Sequence, residues 1–123
     1  MMTYPVWVES VIGVVKDIQN VEYQQRVWIR GEGPECSSFE EAMCNFFDDF
    51  DADGLLKHSP TESGLTELQY SKLKEFRNAI RSYSDQTRIL LRTKNIRIDH
   101  YVLADPQWHQ IRALAQDVLD AFK

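Results

Sequence analysis

The sequence SSFEEAMCNFFDDF, residues 37–50, carries the strongest structural signal in this chain. Ser37 and Ser38 each precede a glutamate by three residues, which is the spacing of a capping box at the start of a helix. Apolar side chains then recur at helical intervals and fall on one stripe: Phe39, Ala42, Met43, Phe46, Phe47 and Phe50. This pattern predicts a helix that buries one face in the core of a folded domain.

The same segment lies in a strongly acidic part of the chain. Residues 31–56 contain eight carboxylates and neither lysine nor arginine. The carboxylates are Glu32, Glu35, Glu40, Glu41, Asp48, Asp49, Asp51 and Asp53. The four aspartates fall toward the negative end of the predicted helix, where they do not stabilise it, and this indicates a functional role. A folded surface of one charge sign attracts a cationic partner. We therefore take all eight residues as candidate contacts, with Phe50 and Leu55 as candidate apolar anchors.

Three further helices are predicted from periodicity and capping signals. Residues 5–20 place their polar side chains on one narrow helical face and are otherwise apolar. Thr66 and Gln69 have the spacing of a capping box and precede another apolar stripe. Near the C-terminus, Asp105 is a predicted N-cap that is followed by Pro106 at the first helical position.

Other segments are patterned less clearly. Residues 54–65 are rich in glycine, serine and proline and are predicted to form a loop. Residues 21–30 are compatible with either helix or strand. Residues 84–104 contain apolar positions that alternate with polar ones, which is typical of a strand or extended segment.

The composition indicates one globular domain. The chain has 123 residues, of which 43% are hydrophobic and 27% are charged, and these values are ordinary for a soluble protein with its own core. We therefore expect a single domain over residues 1–123 that is mainly α-helical, a compact bundle of four or five helices. The only strands compatible with this bundle are a short pair, 27–30 with 96–103. An α+β fold is the alternative.

Hydropathy and cysteine usage point to a cytoplasmic protein. No apolar run approaches the roughly 18 residues that a membrane span requires, so we expect no membrane association. Cys36 and Cys44 are eight positions apart, which on a helix is too far for a disulfide. Both are predicted to be reduced thiols.

No motif in the sequence marks a catalytic or metal site. The segment from Asp49 to Gly54 resembles the first half of an EF-hand loop, but Pro60 stands where the last calcium ligand is required. The three histidines and two cysteines lack the spacing of zinc ligands. There is no phosphate-binding glycine loop and no recognisable nucleophile signature. We expect no metal, no cofactor and no enzymatic activity.

The charges are divided unevenly along the chain. Residues 1–54 hold eleven acidic side chains against three basic ones, whereas residues 55–123 hold eleven basic side chains against eight acidic ones. The basic residues of the second half concentrate between 72 and 97, where a nucleic-acid-binding regulatory or adaptor module is the alternative function. The overall acidity of the chain, with a pI near 5.1, disfavours that alternative because the whole molecule repels phosphate.

The chain resembles a bacterial immunity protein of the kind encoded beside polymorphic or contact-dependent growth-inhibition toxins. The resemblance is carried by SSFEEA (37–42), FFDD (46–49) and LADPQW (103–108) in a small acidic domain. It implies a protein that binds and neutralises a cognate toxin C-terminal domain, often a basic nuclease, without chemistry of its own. It therefore implies no catalytic residues.

Overall fold

The structure, a computed structural model, describes residues 3–34, 36–94 and 96–123. All regular secondary structure in these residues is helical. Its helices are α1 (Tyr4–Gln19), α2 (Val21–Tyr23), α3 (Phe39–Cys44), α4 (Ala52–Lys57), α5 (Pro60–Ser63), α6 (Glu67–Thr93), α7 (Ile98–Ala104) and α8 (Pro106–Ala121). A π-helical turn continues α2 (Gln24–Ile29) and another continues α3 (Asn45–Asp49). The mainly α prediction is confirmed, but the described residues form eight α-helices rather than four or five.

Helix α8 occupies the centre of the fold, packed against both α1 and α6. Its Trp108 is fully buried, and its ring lies 5.6–6.1 Å from the rings of three other aromatic residues, namely Trp28, Phe39 and Tyr83. The Trp108 indole donates a hydrogen bond to Gln24 Oε1 at 3.0 Å, and the Gln24 amide donates to the Ile18 carbonyl at 2.6 Å. This buried amide is therefore satisfied on both its acceptor and donor sides, as a polar group in a core requires.

The capping and periodicity predictions for three helices are confirmed. In α1 the valine-rich face is buried, while Gly13, Lys16 and the rest of the narrow polar face lie outside the core. Thr66 and Gln69 form the reciprocal capping box at the start of α6. Asp105 caps α8 by accepting from the Gln107 amide at 3.0 Å.

The predicted strand pair is wrong, since no strand occurs in the described residues. The 27–30 segment lies in and just after the π-helical turn that follows α2, and most of 96–103 forms α7. The apolar positions Ile98 and Val102 are four residues apart, so one helical face brings both toward the core, where Val102 is fully buried. The alternation of apolar and polar residues that suggested a strand extends over too few positions to distinguish a strand from a helix.

Two other segments are more helical than the sequence suggested. Helix α6 runs on to Thr93, through the first part of the segment for which an extended conformation was expected. The predicted loop 54–65 contains most of α4 and all of α5, with Gly64 ending α5 in the left-handed conformation at φ 78°. Helix α4 packs against both α1 and α6, and α5 packs against α1. This packing compensates for weak intrinsic propensity.

The π-helical turn after α3 changes where its last acidic residues lie. The Phe50 amide donates to the Asn45 carbonyl, five residues earlier, at 2.9 Å. This wider turn holds one more residue than an α-helical turn. Phe46 is fully buried there, while Asp48 and Asp49 remain exposed.

Candidate binding surface

Four of the eight candidate carboxylates form a continuous exposed surface around Cys44. Glu40 and Glu41 lie in the first turn of α3, and Asp48 and Asp49 lie in the π-helical turn that follows it. All four side chains are exposed, and none forms an ion pair with any residue in the described ranges. We call Glu40, Glu41, Cys44, Asp48 and Asp49 the acidic edge.

The negative charges of the acidic edge affect the pKa of the Cys44 thiol. Its Sγ donates toward Asp48 Oδ2 at 3.6 Å. The pKa of the Cys44 thiol is raised by loss of hydration, then by the hydrogen bond to Asp48 and by the charges of Asp48, Asp49 and Glu41. Carboxylates from both ends of the α3 segment therefore act on one point of the surface.

Two other candidate carboxylates are already paired within the protein. Glu32 lies 2.8 Å from Arg30 Nε, an exposed ion pair within one turn. Asp53 accepts from Arg77 Nε at 2.6 Å and from Arg77 Nη2 at 3.1 Å, and Arg81 Nη2 lies 3.6 Å from the same carboxylate. The pKa of Asp53 is lowered, first by the hydrogen bond from Arg77. Its charge holds α4 to α6 and is the least available of the set to a partner.

Asp51, another of the candidate carboxylates, is the N-cap of α4. It adopts the left-handed conformation at φ 44° and caps α4, with Oδ1 accepting from the Gly54 amide at 3.0 Å. A Cβ added at Gly54 would overlap the Asp51 carboxylate, so a larger residue there would require this capping side chain to move. Asp51 accepts from the Gly54 amide and Asp53 accepts from Arg77, so the carboxylates of the EF-hand-like segment do not point toward a common position. The described residues contain no group of three or more metal-ligating side chains.

Next to the acidic edge lies an open cavity of about 840 Å³, and four of its eight lining residues are aromatic. Its walls, which we call the aromatic pocket, are Thr3, Tyr4, Pro5, Trp7, Asp49, Phe50, Asp51 and His58. The Tyr4 and Trp7 rings are stacked, with centroids 6.1 Å apart and planes 12° from parallel. His58 lies edge-on to both rings at 5.4 and 5.8 Å.

Hydrogen bonds fix the walls of the aromatic pocket. The Tyr4 hydroxyl lies 3.2 Å from His58 Nδ1, and the Trp7 indole donates to the Phe50 carbonyl. These contacts join the start of α1 to the segments before and after α4. Asp49 belongs both to the pocket and to the acidic edge, so the two features form one surface.

Sequence reasoning found this surface only in part. It identified Phe50, which is half-buried in the pocket wall, but it missed Tyr4, Trp7 and His58. The spacing of Tyr4 and Trp7, three positions apart at a helix start, would have placed both rings on one face, whereas nothing local would have placed His58 there. Leu55 was a candidate anchor only if exposed, and it is 1% exposed in the core, so it is not available to a partner. Glu35 lies outside the described residues.

The basic face predicted between 72 and 97 is smaller than the sequence suggests. Arg77 and Arg81 are engaged with Asp53, and Lys72 lies 3.9 Å from Glu75. Five exposed cations of this region form no ion pair with a described residue. Lys74 lies near the start of α6, over the Tyr70 ring, and the other four lie toward the end of α6 and beyond it: Arg88, Arg92, Lys94 and Arg97. Arg88 shares a groove with Glu40 and Asp48, so part of the basic charge faces the acidic edge.

The remaining reactive side chains are dispersed. Cys36 and Cys44 are free, exposed thiols. His58 contacts Tyr4, and His109 contacts Arg112 on the surface of α8. In the described ranges, every helix is too short or too polar to cross a lipid bilayer.

Comparison with known proteins gives no relative: no protein-family model, no curated protein and no solved structure matches the chain.

Proposed function

We propose that this protein is an immunity protein that binds and neutralises a cognate secreted bacterial toxin domain, without catalysis of its own. The observation that carries the proposal is the acidic edge: Glu40, Glu41, Asp48 and Asp49 are exposed together, without an ion pair in the described part of the chain. Asp48 and Asp49 also stand at a helix end that disfavours negative charge. A partner that supplies positive charge would offset this unfavourable placement.

A basic nuclease is the toxin class that such a surface fits best. A nuclease must present cationic side chains where it holds phosphate, and carboxylates on a rigid helix can occupy that groove in place of phosphates. Complementary charge also accelerates association, up to about 10⁸–10⁹ M⁻¹s⁻¹ at low salt. Rapid capture matters for an inhibitor that must act before the toxin reaches its substrate.

The aromatic pocket supports the same proposal. Charged rims set association rate and orientation, while aromatic residues in concave sites contribute most of the affinity of protein interfaces. In this protein Asp49 belongs to both features, so one partner could engage the acidic edge and the pocket together.

The alternative, a nucleic-acid-binding module, is supported by the four exposed cations at the end of α6 and just beyond it. Titration with labelled single- and double-stranded RNA and DNA at several salt concentrations tests it. Binding with a steep salt dependence, lost in an Arg88→Gln/Arg92→Gln variant, would favour the alternative. Absence of binding at low salt would exclude it.

The direct test of the immunity proposal uses charge reversal on the acidic edge. We expect the cognate toxin domain to be the C-terminal domain of a large secreted protein encoded in the neighbouring reading frame. That domain is co-expressed with the wild-type protein or with an Asp48→Lys/Asp49→Lys variant. Lysine is favourable at this end of a helix, so the variant should fold, which circular dichroism checks. We expect it to lose protection and to bind the toxin domain at least about 100-fold more weakly, a loss that high salt in the wild-type complex should mimic.

The matched control is Glu9→Lys/Asp117→Lys, which makes the same change in net charge at two other exposed carboxylates. We expect this control to protect as the wild type does. Equal protection by the Asp48→Lys/Asp49→Lys variant, once shown to be folded, would contradict the proposal. Equal loss in both variants would show that net charge, rather than the acidic edge, is responsible.

A further inference from the structure

The aromatic pocket has the composition of a site for an organic cation. Its aromatic lining residues are Tyr4, Trp7, Phe50 and His58, and Asp49 and Asp51 belong to the same lining. Aromatic faces attract cations through the ring quadrupole, and nearby carboxylates supply charge and hydrogen-bond acceptors. None of the described residues that line the cavity is a lysine or an arginine.

Elsewhere in this protein an arginine side chain already lies between an aromatic ring and a carboxylate. Close by, the Arg81 guanidinium lies 4.1 Å from the centroid of the Phe47 ring, and its Nη2 lies 3.6 Å from Asp53 Oδ2. One arginine is thus held between an aromatic face and a carboxylate inside the protein. The aromatic pocket offers the same two elements, a ring wall and carboxylates, without an arginine of its own.

Arginine fits the pocket better than the other biological cations. A guanidinium is planar, stacks on aromatic rings and presents several N–H donors in its plane, so it can use rings and carboxylates at once. A lysine ammonium is strongly hydrated, and a quaternary ammonium has no donor for Asp49 or Asp51. Asp51 can also take part while capping α4, because only Oδ1 accepts from the Gly54 amide.

We propose that the aromatic pocket receives one arginine side chain of the partner protein, stacked on the Tyr4–Trp7 wall and hydrogen-bonded to Asp49 and Asp51. The identity of the partner rests on the proposed function, whereas the capacity of the pocket for arginine does not. The acidic edge would orient the toxin domain, and this arginine would be the central anchor of the interface, a role in which arginine is enriched.

The capacity of the pocket is tested with small probes and the full chain. N-acetyl-L-arginine amide is titrated while the Trp7 indole N–H is followed by NMR, and N-acetyl-L-citrulline amide serves as the neutral analogue of the same shape. We expect a dissociation constant on the order of 1–10 mM for arginine and at least about tenfold weaker binding of citrulline. Equal binding of the two probes, or tighter binding of tetramethylammonium, would overturn the proposal.

Two matched variants locate the site. Asp49→Asn/Asp51→Asn removes both charges while asparagine retains the cap and tolerates the left-handed conformation at position 51. We expect it to weaken arginine binding about tenfold, with no change in Asp117→Asn, which alters an exposed carboxylate outside the pocket. Unchanged affinity in the folded double variant would overturn the proposal.

The Asp48→Lys/Asp49→Lys and Asp49→Asn/Asp51→Asn variants separate this proposal from the immunity proposal. If arginine does not shift the Trp7 signal of the wild type but Asp48→Lys/Asp49→Lys still abolishes protection, the pocket proposal fails and the immunity proposal stands. If arginine binds the wild type as expected but neither of these two variants affects protection, the immunity proposal fails and the pocket remains an arginine site.

Discussion

Asp53 and Arg77 join the acidic and basic halves of this chain through a bidentate ion pair, with Nε–Oδ1 at 2.6 Å and Nη2–Oδ2 at 3.1 Å. Both side chains are about 30% exposed, so solvent screens the pair only in part. The acid comes from α4 and the arginine from α6, and Arg81 approaches the same carboxylate. Part of the charge asymmetry seen in the sequence is therefore neutralised inside the fold, whereas the four carboxylates of the acidic edge remain exposed.

The Asp53–Arg77 pair predicts a specific loss of stability in acid. Because the pKa of Asp53 is lowered in the folded protein, its contribution is fully present above the ordinary carboxyl value and is lost as pH falls through the folded pKa. We expect Asp53→Asn to lower the free energy of unfolding by about 1–2 kcal/mol at neutral pH. That difference should shrink as pH falls through the folded pKa of Asp53, which lies below its ordinary value.

Urea denaturation of the wild type and Asp53→Asn across this pH range measures the effect. Asp117→Asn is the control, since Asp117 is exposed and forms no ion pair with a described residue. A difference between wild type and Asp53→Asn that is as large in acid as at neutral pH would contradict the assignment.

Two tryptophans of the core should respond differently to the same substitution. Trp108→Phe leaves Gln24 Oε1 buried without its donor, whereas Trp28→Phe removes an indole N–H that has no partner among the described residues. We expect Trp108→Phe to cost about 2–4 kcal/mol of unfolding free energy and Trp28→Phe to cost clearly less, since only the first orphans a polar group. Urea denaturation of the pair measures this, and equal costs would show that volume alone matters.

The thiol at the centre of the acidic edge should be slow to alkylate. The thiolate is the reactive form, and the raised pKa of Cys44 makes it scarce. We expect Asp48→Asn to increase the rate of reaction of Cys44 with iodoacetamide about threefold, because it removes both a hydrogen-bond acceptor and a negative charge. Peptide mass spectrometry gives the rate, with Cys36 in the same molecule as the reference. An unchanged Cys44 rate would mean that the acidic edge does not act on the thiol.

The elements that could be predicted are those whose signals are local. Helices α6 and α8 were found because Thr66, Gln69 and Asp105 satisfy backbone groups within their own first turns. Helix α1 was found because its polar residues repeat at helical intervals, despite its many valines. Each of these signals lies within one segment and needs no information about its neighbours.

The elements that were missed depend on what packs against them. Val102 is drawn into the core beside the α2 segment, so α7 is a helix where its alternation suggested a strand. Ser84 and Thr87 are buried within α6, where Thr87 Oγ1 donates to the Ser84 carbonyl at 2.8 Å. A buried hydroxyl that donates to a backbone carbonyl one turn earlier lets a helix continue through a buried segment, which the periodicity of apolar residues does not reveal.

By itself, the sequence determined the helical class, the main caps and the concentration of negative charge between residues 31 and 56, because helix periodicity and charge are properties of a single segment. Only the tertiary structure decided which of those charges remain available. It paired Asp53 with Arg77, used Asp51 as a cap and left Asp48 and Asp49 exposed. It also brought His58 to Tyr4 across 54 positions of chain, and a contact over that separation is fixed by packing rather than by local pattern.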